Sequence, residues 1–348
     1  MKVRAVALFS GGLDSSLAVR VLQDQGIEVK ALHFYTGFCI TEHKRRLGLK
    51  KEDGSHYVNP ALRAAAHLQV PLDIVDISQE YFDVILNPRH GYGRHINPCV
   101  DCRILMLSKA REIKEKEGYH FVVTGEVLGQ RPMSQTFDRL MFIERQAGLE
   151  GYLLRPLSAK LLPETLPEKL RWVNRERLLD IRGRGRKKQI ALAQKYGLEY
   201  EQPAGGCCYL TDESYAYRFK EAIKVEGSIS REDLVLFTVG RHFRLPSGVK
   251  LIIARNEGEV RFLQGFRSRY AYAYRRDHKG TFALIKGKLS EGEFKLVADL
   301  VARYSKNEPC EVVLCSGEEE RVFWGEPAAQ EVINSYKIYL RQGAKDGA

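Results

Sequence analysis

The sequence predicts an α/β protein, with a doubly wound, mostly parallel sheet followed by a second, smaller α+β domain. Two observations support this prediction. Strand-like apolar segments alternate with helix-like segments through the first part of the chain, which is typical of a sheet with helices on both faces. After a turn-rich segment at 203–212 the pattern changes to short strands with fewer helices. We therefore expect domains at 1–210 and 211–348.

The elements of the first domain follow from the spacing of its apolar residues. Residues 3–9 form a short apolar run that ends at a glycine pair, as a buried parallel strand does, and helical spacing from Asp14 ends at Gly26. Residues 36–59 are polar and basic, which predicts an insertion or mobile loop. The remaining elements predicted here are strands at 28–35, 71–76 and 120–124 and helices at 60–68 and 103–117.

The second domain is predicted in the same way. Its strands are expected at 235–239, 249–254, 259–263, 281–286 and 312–315, and its helices at 213–224, 292–304 and 326–339.

Composition limits the classes of partner and the compartment. The chain has 55 basic and 44 acidic residues, a net charge of +11, which favours an anionic partner such as a nucleic acid or a membrane surface. No apolar run is long enough to span a bilayer, and the first residues do not resemble a signal peptide. We therefore expect a cytoplasmic protein whose cysteines serve metal, redox or core roles.

A glycine-rich loop, SGGLDSS at 10–16, lies between the first strand and the first helix. Its glycines let the backbone approach a phosphate closely, and the N–H groups at the helix start bind an anion. No Gly-Lys-Ser/Thr follows, so the loop is not a Walker motif.

Four cysteines form two pairs. Cys99 and Cys102 precede a predicted helix in NPCVDC, where the helix N-terminus is expected to lower their pKa, and Cys207 and Cys208 lie in PAGGCC. One hypothesis is a [4Fe–4S] cluster on Cys99, Cys102 and Cys207 with one open iron. A second is a persulfide on Cys99 or Cys102 that a distant cysteine resolves through a disulfide. In either hypothesis Cys208 is an alternative to Cys207. A third is structural zinc, with His95 as an extra ligand, or an inert pair. The remaining cysteines are predicted to be incidental: Cys39, Cys310 and Cys315.

These motifs together resemble a known enzyme family. SGGLDSS, HFYTGF at 33–38 and VVTGEVLGQRPMSQT at 122–136 look like the catalytic domain of tRNA 4-thiouridine synthetases, and LLRPLSAKLLPET at 153–165 continues that pattern. NPCVDC is similar to a motif of tRNA 2-thiouridylases. Both belong to the ATP pyrophosphatase (PP-loop) superfamily, and the resemblance covers about residues 1–210. Residues 239–264 resemble the small RNA-associated domain of NFACT-type proteins.

The resemblance implies an ATP-dependent tRNA sulfurtransferase that uses Mg²⁺. ATP adenylates a uridine carbonyl oxygen, and a sulfur nucleophile from sulfide or a persulfide carrier displaces AMP. The implied catalytic residues are Asp14, Cys99, Cys102 and Cys207. The implied nucleotide-binding residues are Ser10, Gly11, Gly12, Asp14, Ser15, Ser16, Phe34, Gly125, Glu126 and Gln130.

Several alternatives stay open at this point. Glu126 is also a candidate helix cap, and Arg155 is a candidate for facing phosphate or RNA or for the plain surface. The superfamily also contains amidotransferases and synthetases that use other nucleophiles, and a non-catalytic RNA-binding protein is a further hypothesis. The N-terminal RNA-binding module of the 4-thiouridine synthetases is not recognised ahead of the first strand. We therefore consider a homodimer, in which a second chain would help to bind the tRNA.

Three basic stretches are candidates for binding RNA phosphates, at 44–51, 182–188 and 267–279. In a strand, Tyr270, Tyr272 and Tyr274 would share one face and stack on bases, or would pack on the core instead. The alternative for the charged residues is a solvated surface. The basic candidates are Lys44, Arg45, Arg46, Arg184, Arg186, Lys187, Lys188, Arg267, Arg269, Arg275 and Arg276.

Overall fold

The computed structural model of the chain describes residues 2–200 and 208–338, and it divides into two compact units. The first unit comprises 1–43 and 57–211, and the second comprises 44–56 and 212–348. Residues 44–56, which the sequence analysis assigned to the first domain, therefore belong to the second unit.

The first unit is built on a five-stranded sheet with the order β3-β2-β1-β4-β5, in which all neighbouring strands are parallel. This confirms the predicted parallel α/β sheet. The strands are β1 Arg4–Leu8, β2 Glu28–Tyr35, β3 Leu72–Asp76, β4 Phe121–Val123 and β5 Leu153–Leu154.

Both faces of this sheet are covered. Alternate residues of β1 enter different cores, with Ala5 and Ala7 in one and Val6 and Leu8 in the other, because successive side chains of a strand point to opposite faces. Residues of α1, α3 and α8 fill the first core, and residues of α5 and α6 fill the second. The helices in this part of the chain are α1 Leu13–Gln23, α2 Ile40–Arg46, α3 Pro60–Leu68, α4 Ser78–Leu86, α5 Cys99–Glu117, α6 Phe137–Gln146, α7 Leu166–Lys169 and α8 Lys187–Tyr196.

The second unit contains a six-stranded antiparallel sheet with the order β11-β10-β8-β9-β7-β6. Its strands are β6 Arg241–Arg244, β7 Lys250–Ile253, β8 Ala271–Arg275, β9 Phe282–Lys286, β10 Cys310–Ser316 and β11 Glu319–Gly325. Its helices are α9 Glu213–Glu226, α10 Arg231–Leu236, α11 Glu257–Gln264, α12 Glu293–Tyr304 and α13 Gln330–Tyr336.

Two of the predicted strands in this unit are wrong. All of 259–263 lies in α11, which Asn256 caps by accepting from the Glu259 N–H at 3.0 Å. The segment 235–239 begins inside α10, which Ser230 and Asp233 start with a capping box. These caps act locally, and the apolar residues that suggested strands are the buried faces of short helices.

Three strands of the second unit were not among the predicted strands: β6, β8 and β11. For β8, the sequence analysis considered a strand only conditionally, from the alternating tyrosines. The other two lack the usual apolar alternation. Strand β6 has the polar sequence RHFR, and β11 is an edge strand with mostly exposed residues. Their pairing partners rather than their own composition place them in the sheet.

A search of residues 2–200 and 208–338 finds no helix with the length and apolar character that a bilayer crossing requires.

Candidate active site

A cavity of about 350 Å³ opens at the carboxyl ends of β1, β2 and β4, all within the first unit. Crevices at this end of a parallel sheet are the usual ligand sites of doubly wound folds. The predicted site residues that line it are Ser10, Asp14, Ser15, Phe34, Cys99, Cys102, Gly125, Glu126 and Gln130. The loop residues Gly11, Gly12 and Ser16 are not among its lining residues.

The glycine loop joins β1 to α1 at the cavity wall. Gly11 has φ +73°, and a Cβ there would lie 2.2 Å from the Pro60 carbonyl oxygen, so only glycine fits. Gly12 is the N-cap of α1 and provides no side-chain cap, which leaves N–H groups of the first turn available to an anion. Ser15 Oγ donates to the Gly12 carbonyl at 3.0 Å and lies 3.3 Å from Ser10 Oγ, which orders the loop.

Asp14 presents one carboxylate oxygen without a protein partner. Gln130 Nε2 donates to Asp14 Oδ2 at 3.0 Å, which fixes the orientation of the carboxylate. Asp14 Oδ1 is buried and accepts no hydrogen bond from the residues that the structure describes. An unpaired buried carboxylate oxygen beside an anion-binding loop is suited to a Mg²⁺ ion that accompanies ATP phosphates.

The end of β4 packs directly on the start of α1. A Cβ on Gly125 would lie 2.6 Å from the backbone of Asp14 and Ser15, so this glycine permits the close approach of the two segments. Gly125 therefore allows the backbone at the end of the glycine loop to pack closely against it.

Glu126 belongs to a buried charge network. Arg155 Nε donates to Glu126 Oε2 at 3.2 Å, and Arg103 Nε lies 3.5 Å from Glu126 Oε1. Burial raises the pKa of Glu126, but the guanidinium groups of Arg103 and Arg155 outweigh it and hold this pKa below its usual range. The helix-cap alternative for Glu126 is wrong, since the nearest following helix begins at Phe137.

Arg155 occupies neither of its two expected places. Only 2% of the residue is exposed, and it also donates to Glu144 Oε2 at 2.6 Å and to the Leu140 carbonyl at 3.1 Å. Arg155 thus ties Glu126 to α6 from inside the protein.

Phe34, the next-to-last residue of β2, lies at the cavity wall with 9% of its surface exposed. Its neighbour His33 directs Nδ1 to the Phe9 carbonyl at 3.1 Å, and burial lowers the His33 pKa. This wall is therefore apolar and aromatic around one oriented imidazole.

Four thiols line the same cavity: Cys39, Cys99, Cys102 and Cys208. Cys207 lies outside the described residues. The sequence analysis treated Cys39 as incidental, and it had no short-spacing signal that could reveal the convergence. Cys39 and Cys208 face each other in an isolated antiparallel bridge.

The expected lowering of thiol pKa values at the start of α5 is wrong. Burial raises the pKa of Cys99 despite the nearby charges of Arg131 and Arg103. Burial also raises the pKa of Cys102, although a hydrogen bond with Tyr81 acts in the opposite direction. The Cys208 thiol is affected most, since burial and the neighbouring Cys102 raise its pKa to about 12. Desolvation therefore outweighs the helix terminus at these positions.

Thiolates suit an iron–sulfur cluster, and two of the three predicted ligands, Cys99 and Cys102, line the cavity, while the third, Cys207, lies outside the described residues. Within residues 2–200 and 208–338, no three His, Cys, Asp or Glu side chains are grouped so as to hold a metal ion. The thiols that the structure describes therefore do not by themselves form the predicted cluster site. His95, the candidate extra zinc ligand, is not among the residues that line the cavity.

Two arginines at this site were missed in the sequence. Arg103 follows Cys102 and Arg131 follows Gln130, and both line the cavity near Cys99. Burial and the charge of Arg103 lower the pKa of Arg131. Their positions next to predicted site residues were the only sequence signal that could have identified them. Both arginines bring positive charge close to the thiols.

A second cleft, of about 180 Å³, lies in the second unit and is lined by Tyr272 and Tyr274 of β8. The two rings stack at 6.1 Å, and Tyr272 also stacks on Phe282 at 5.3 Å. Tyr274 stacks on His278 at 4.9 Å. The tyrosines are half-buried, so they pack on one another and still border the cleft.

The basic residues predicted to bind RNA differ in their surroundings. Arg275 pairs with Asp277 at 2.9 Å and Glu308 at 2.6 Å, and Arg276 pairs with Glu311 at 3.0 Å. Arg269 forms an ion pair with Glu232, and Lys188 pairs with Asp180 at 3.1 Å. Arg267 lines the tyrosine cleft, and Arg184 and Lys187 are exposed in the first unit. The C-terminal end of α2 is formed by Lys44, Arg45 and Arg46. The N-cap residue of α8 is Arg186.

Comparison with known proteins finds two family models. Residues 1–160 match the family described as thiamine biosynthesis protein (ThiI). Residues 240–337 match the NFACT protein RNA binding domain.

Individual relatives agree with these matches. The chain is 28% identical over 232 residues to the tRNA-specific 2-thiouridylase MnmA of Geotalea uraniireducens, covering 63% of this chain and 56% of that protein. It is 29% identical over 156 residues to a probable tRNA sulfurtransferase of Thermococcus kodakarensis, covering 44% of this chain and 36% of that protein. The chain thus spans about half or less of the length of these relatives.

A solved structure titled as a 4-thiouridine synthetase–RNA complex with bound ATP is 23% identical, with a TM-score of 0.34, and covers 44% of this chain and 36% of that chain. From the two family matches, the first part of the chain resembles the ThiI family and the second resembles the NFACT RNA-binding domain.

Proposed function

We propose that the chain is an ATP-dependent tRNA sulfurtransferase that converts a uridine into a thiouridine. The observation that carries this proposal is a single cavity lined both by side chains of a phosphate-binding loop and by four thiols. Activation by ATP and transfer of sulfur need these two kinds of group within reach of one substrate atom.

In the first step, the uridine carbonyl oxygen attacks the α-phosphorus of ATP, and the bond to pyrophosphate breaks. The N–H groups at the start of α1 bind the departing pyrophosphate. Asp14 would hold Mg²⁺ through its unpaired Oδ1, and the ion would neutralise phosphate charge. The cavity wall shields the adenylated uridine from water, which would return the uridine unchanged.

In the second step, a persulfide on Cys99 or Cys102 supplies the sulfur. Its terminal sulfur attacks the activated carbon, and the carbon–oxygen bond to AMP breaks. The Cys208 thiolate then attacks the cysteine sulfur of the remaining S–S bond, which releases the thiouridine and leaves an enzyme disulfide. The charges of Arg131 and Arg103 favour negative charge on sulfur at Cys99 and partly oppose the burial that raises the pKa of its thiol.

A [4Fe–4S] cluster on Cys99, Cys102 and Cys207 is a second candidate for the sulfur carrier. The presence of Cys99 and Cys102 in one cavity supports it, and soft thiolates suit such clusters. Anaerobic purification followed by iron and acid-labile sulfide analysis separates the two carriers. Stoichiometric iron that is lost in C99A and C102A favours the cluster, and an iron-free protein after reconstitution favours the persulfide.

The second unit is proposed to hold the tRNA in the cytoplasm. Tyr272 and Tyr274 offer ring faces to unpaired bases, and Arg267 adds positive charge to the same cleft. A homodimer belongs to this proposal and is tested by sedimentation with and without tRNA.

The proposal is tested with purified protein, unmodified tRNA, Mg-ATP and either sulfide or a persulfide donor. Mass spectrometry of the digested tRNA should detect a thiolated uridine, with AMP and pyrophosphate released in parallel. C99A and C102A should abolish thiolation and retain ATP binding, while C310A, which removes a thiol of the second unit, should remain active. AMP release without thiolated nucleoside from any tRNA would contradict the proposal and favour another nucleophile.

A further inference from the structure

Cys39 and Cys208 face each other across an isolated antiparallel bridge. The Tyr209 N–H donates to the Phe38 carbonyl at 3.0 Å, so this hydrogen bond flanks the cysteine pair instead of joining it. In such a non-hydrogen-bonded pair the Cα atoms lie about 4.5 Å apart with the side chains close together. Disulfides span Cα separations of about 4.4–6.8 Å, so the backbone is already placed for a Cys39–Cys208 bond.

The same two thiols are close to the pair on α5. Both border the cavity that Cys99 and Cys102 also line. Cys102, Cys99 and Cys39 each act on the Cys208 thiol electrostatically, which places Cys208 among the other three. Tyr81 makes a hydrogen bond with Cys102 and holds it in this group. A disulfide on Cys208 therefore has another thiol within reach.

We propose that Cys39 is the exchange thiol of this site. It forms a new disulfide with Cys208 by thiol–disulfide exchange with the disulfide that sulfur transfer leaves on the enzyme. The Cys39 thiolate attacks the Cys208 sulfur, the Cys39–Cys208 bond forms, and the bond between Cys208 and Cys99 or Cys102 breaks. The released thiolate takes up the proton that Cys39 lost, so the exchange involves no net oxidation. An external dithiol then reduces the Cys39–Cys208 disulfide and is itself oxidised to a disulfide.

This inference rests on the persulfide route of the proposed function. The exchange has a chemical advantage. It returns the α5 cysteine to a thiol, which can accept a new sulfur before the Cys39–Cys208 disulfide has been reduced. Exchange among neighbouring thiols leads to the disulfide whose geometry is least strained. The bridge provides that geometry for Cys39 and Cys208.

The test uses the protein as purified anaerobically, with its iron content measured first. The protein is equilibrated with reduced and oxidised glutathione, thiols are blocked by alkylation, and disulfide-linked peptides are identified by mass spectrometry. We expect a Cys39–Cys208 linkage as the main product in the wild type. In C39S we expect Cys208 to be linked to Cys99 or Cys102, and in the control C310S the wild-type pattern.

The same variants are compared in single-turnover and multiple-turnover thiolation with limiting dithiothreitol. C39S should complete a first turnover at the wild-type rate and then slow, while C310S should continue. Absence of a Cys39–Cys208 linkage in the wild type, or sustained wild-type turnover by C39S, would overturn the inference. Iron bound through Cys208 that prevents the linkage would also overturn it.

The disulfide mapping needs neither ATP nor tRNA. A wild type that forms the Cys39–Cys208 linkage but never thiolates tRNA would therefore refute the proposed function and leave the cysteine pairing established. A wild type that thiolates tRNA without this linkage would refute only the role of Cys39.

Discussion

Replacing Arg155 by methionine should strongly destabilise the first unit. Methionine retains much of the apolar volume of the side chain and removes its charge. In the native protein Arg155 is 2% exposed and donates to Glu126 at 3.2 Å and to Glu144 at 2.6 Å. Its loss would leave two buried carboxylates without their main counter-charge.

The expected cost is about 3–5 kcal/mol of unfolding free energy, the usual range when one partner of a buried ion pair is removed. For a unit of roughly 200 residues, each kcal/mol lowers Tm by about 2–4 °C, which corresponds to a decrease of about 6–20 °C. Some compensation is available, since Arg103 lies 3.5 Å from Glu126 and the Gly151 N–H donates to Glu144 at 3.0 Å. The lower half of the range is therefore the better expectation.

Thermal unfolding followed by circular dichroism measures this change. R145M is a matched control, since it removes an exposed arginine from α6, the helix that carries Glu144, and should alter stability by about 0.5 kcal/mol or less. A Tm for R155M within the error of R145M would refute the view that this buried network stabilises the first unit.

Three further outcomes are expected. D14N should lower pyrophosphate release about 10²-fold with little change in Tm, because it weakens charge stabilisation at the phosphates; unchanged release would contradict its role. Y272A should weaken binding of single-stranded RNA by about 1–3 kcal/mol, whereas Y217A, which removes an exposed tyrosine, should not; equal losses in a filter-binding titration would contradict base stacking. Burial raises the pKa of Asp233, but the bonds from Lys286 and Ser230 outweigh it and hold this pKa below its usual range. The ionised Asp233 contributes to the free energy of unfolding above its unfolded pKa, and this contribution is lost as pH falls through its folded pKa. When the free energy of unfolding is measured against pH, D233N should therefore lack this part of the acid-induced decrease.

The parallel sheet could be predicted because its signals are local. Strands β1 and β4 are apolar runs, and β2 and β3 are segments in which apolar residues predominate. The two-residue β5 was not among the predicted strands. Strand β11 could not be found in this way, since an edge strand with exposed residues carries little apolar pattern. Helix α11 was mistaken for a strand because a short helix and a short strand bury similar numbers of apolar residues.

The thiol chemistry could be predicted only in part. The first turn of a helix lowers the pKa of a cysteine, and NPCVDC correctly indicated that helix start. The tertiary structure then buries Cys102 and Cys208 together, and desolvation moves their pKa values upward. Burial depends on the neighbours from other elements, which no local motif specifies.

The sequence by itself determined the strand–loop–helix of the proposed anion site, because those residues are contiguous, whereas the approach of Gly11 to the Pro60 carbonyl comes from tertiary packing. It also determined the α/β class, through the alternation of strand and helix patterns. Only the tertiary structure decided that Cys39 faces Cys208 and that Arg155 ties Glu126 to Glu144 inside the protein. These contacts join residues far apart in the chain, and the packing of the sheet and its helices brings them together.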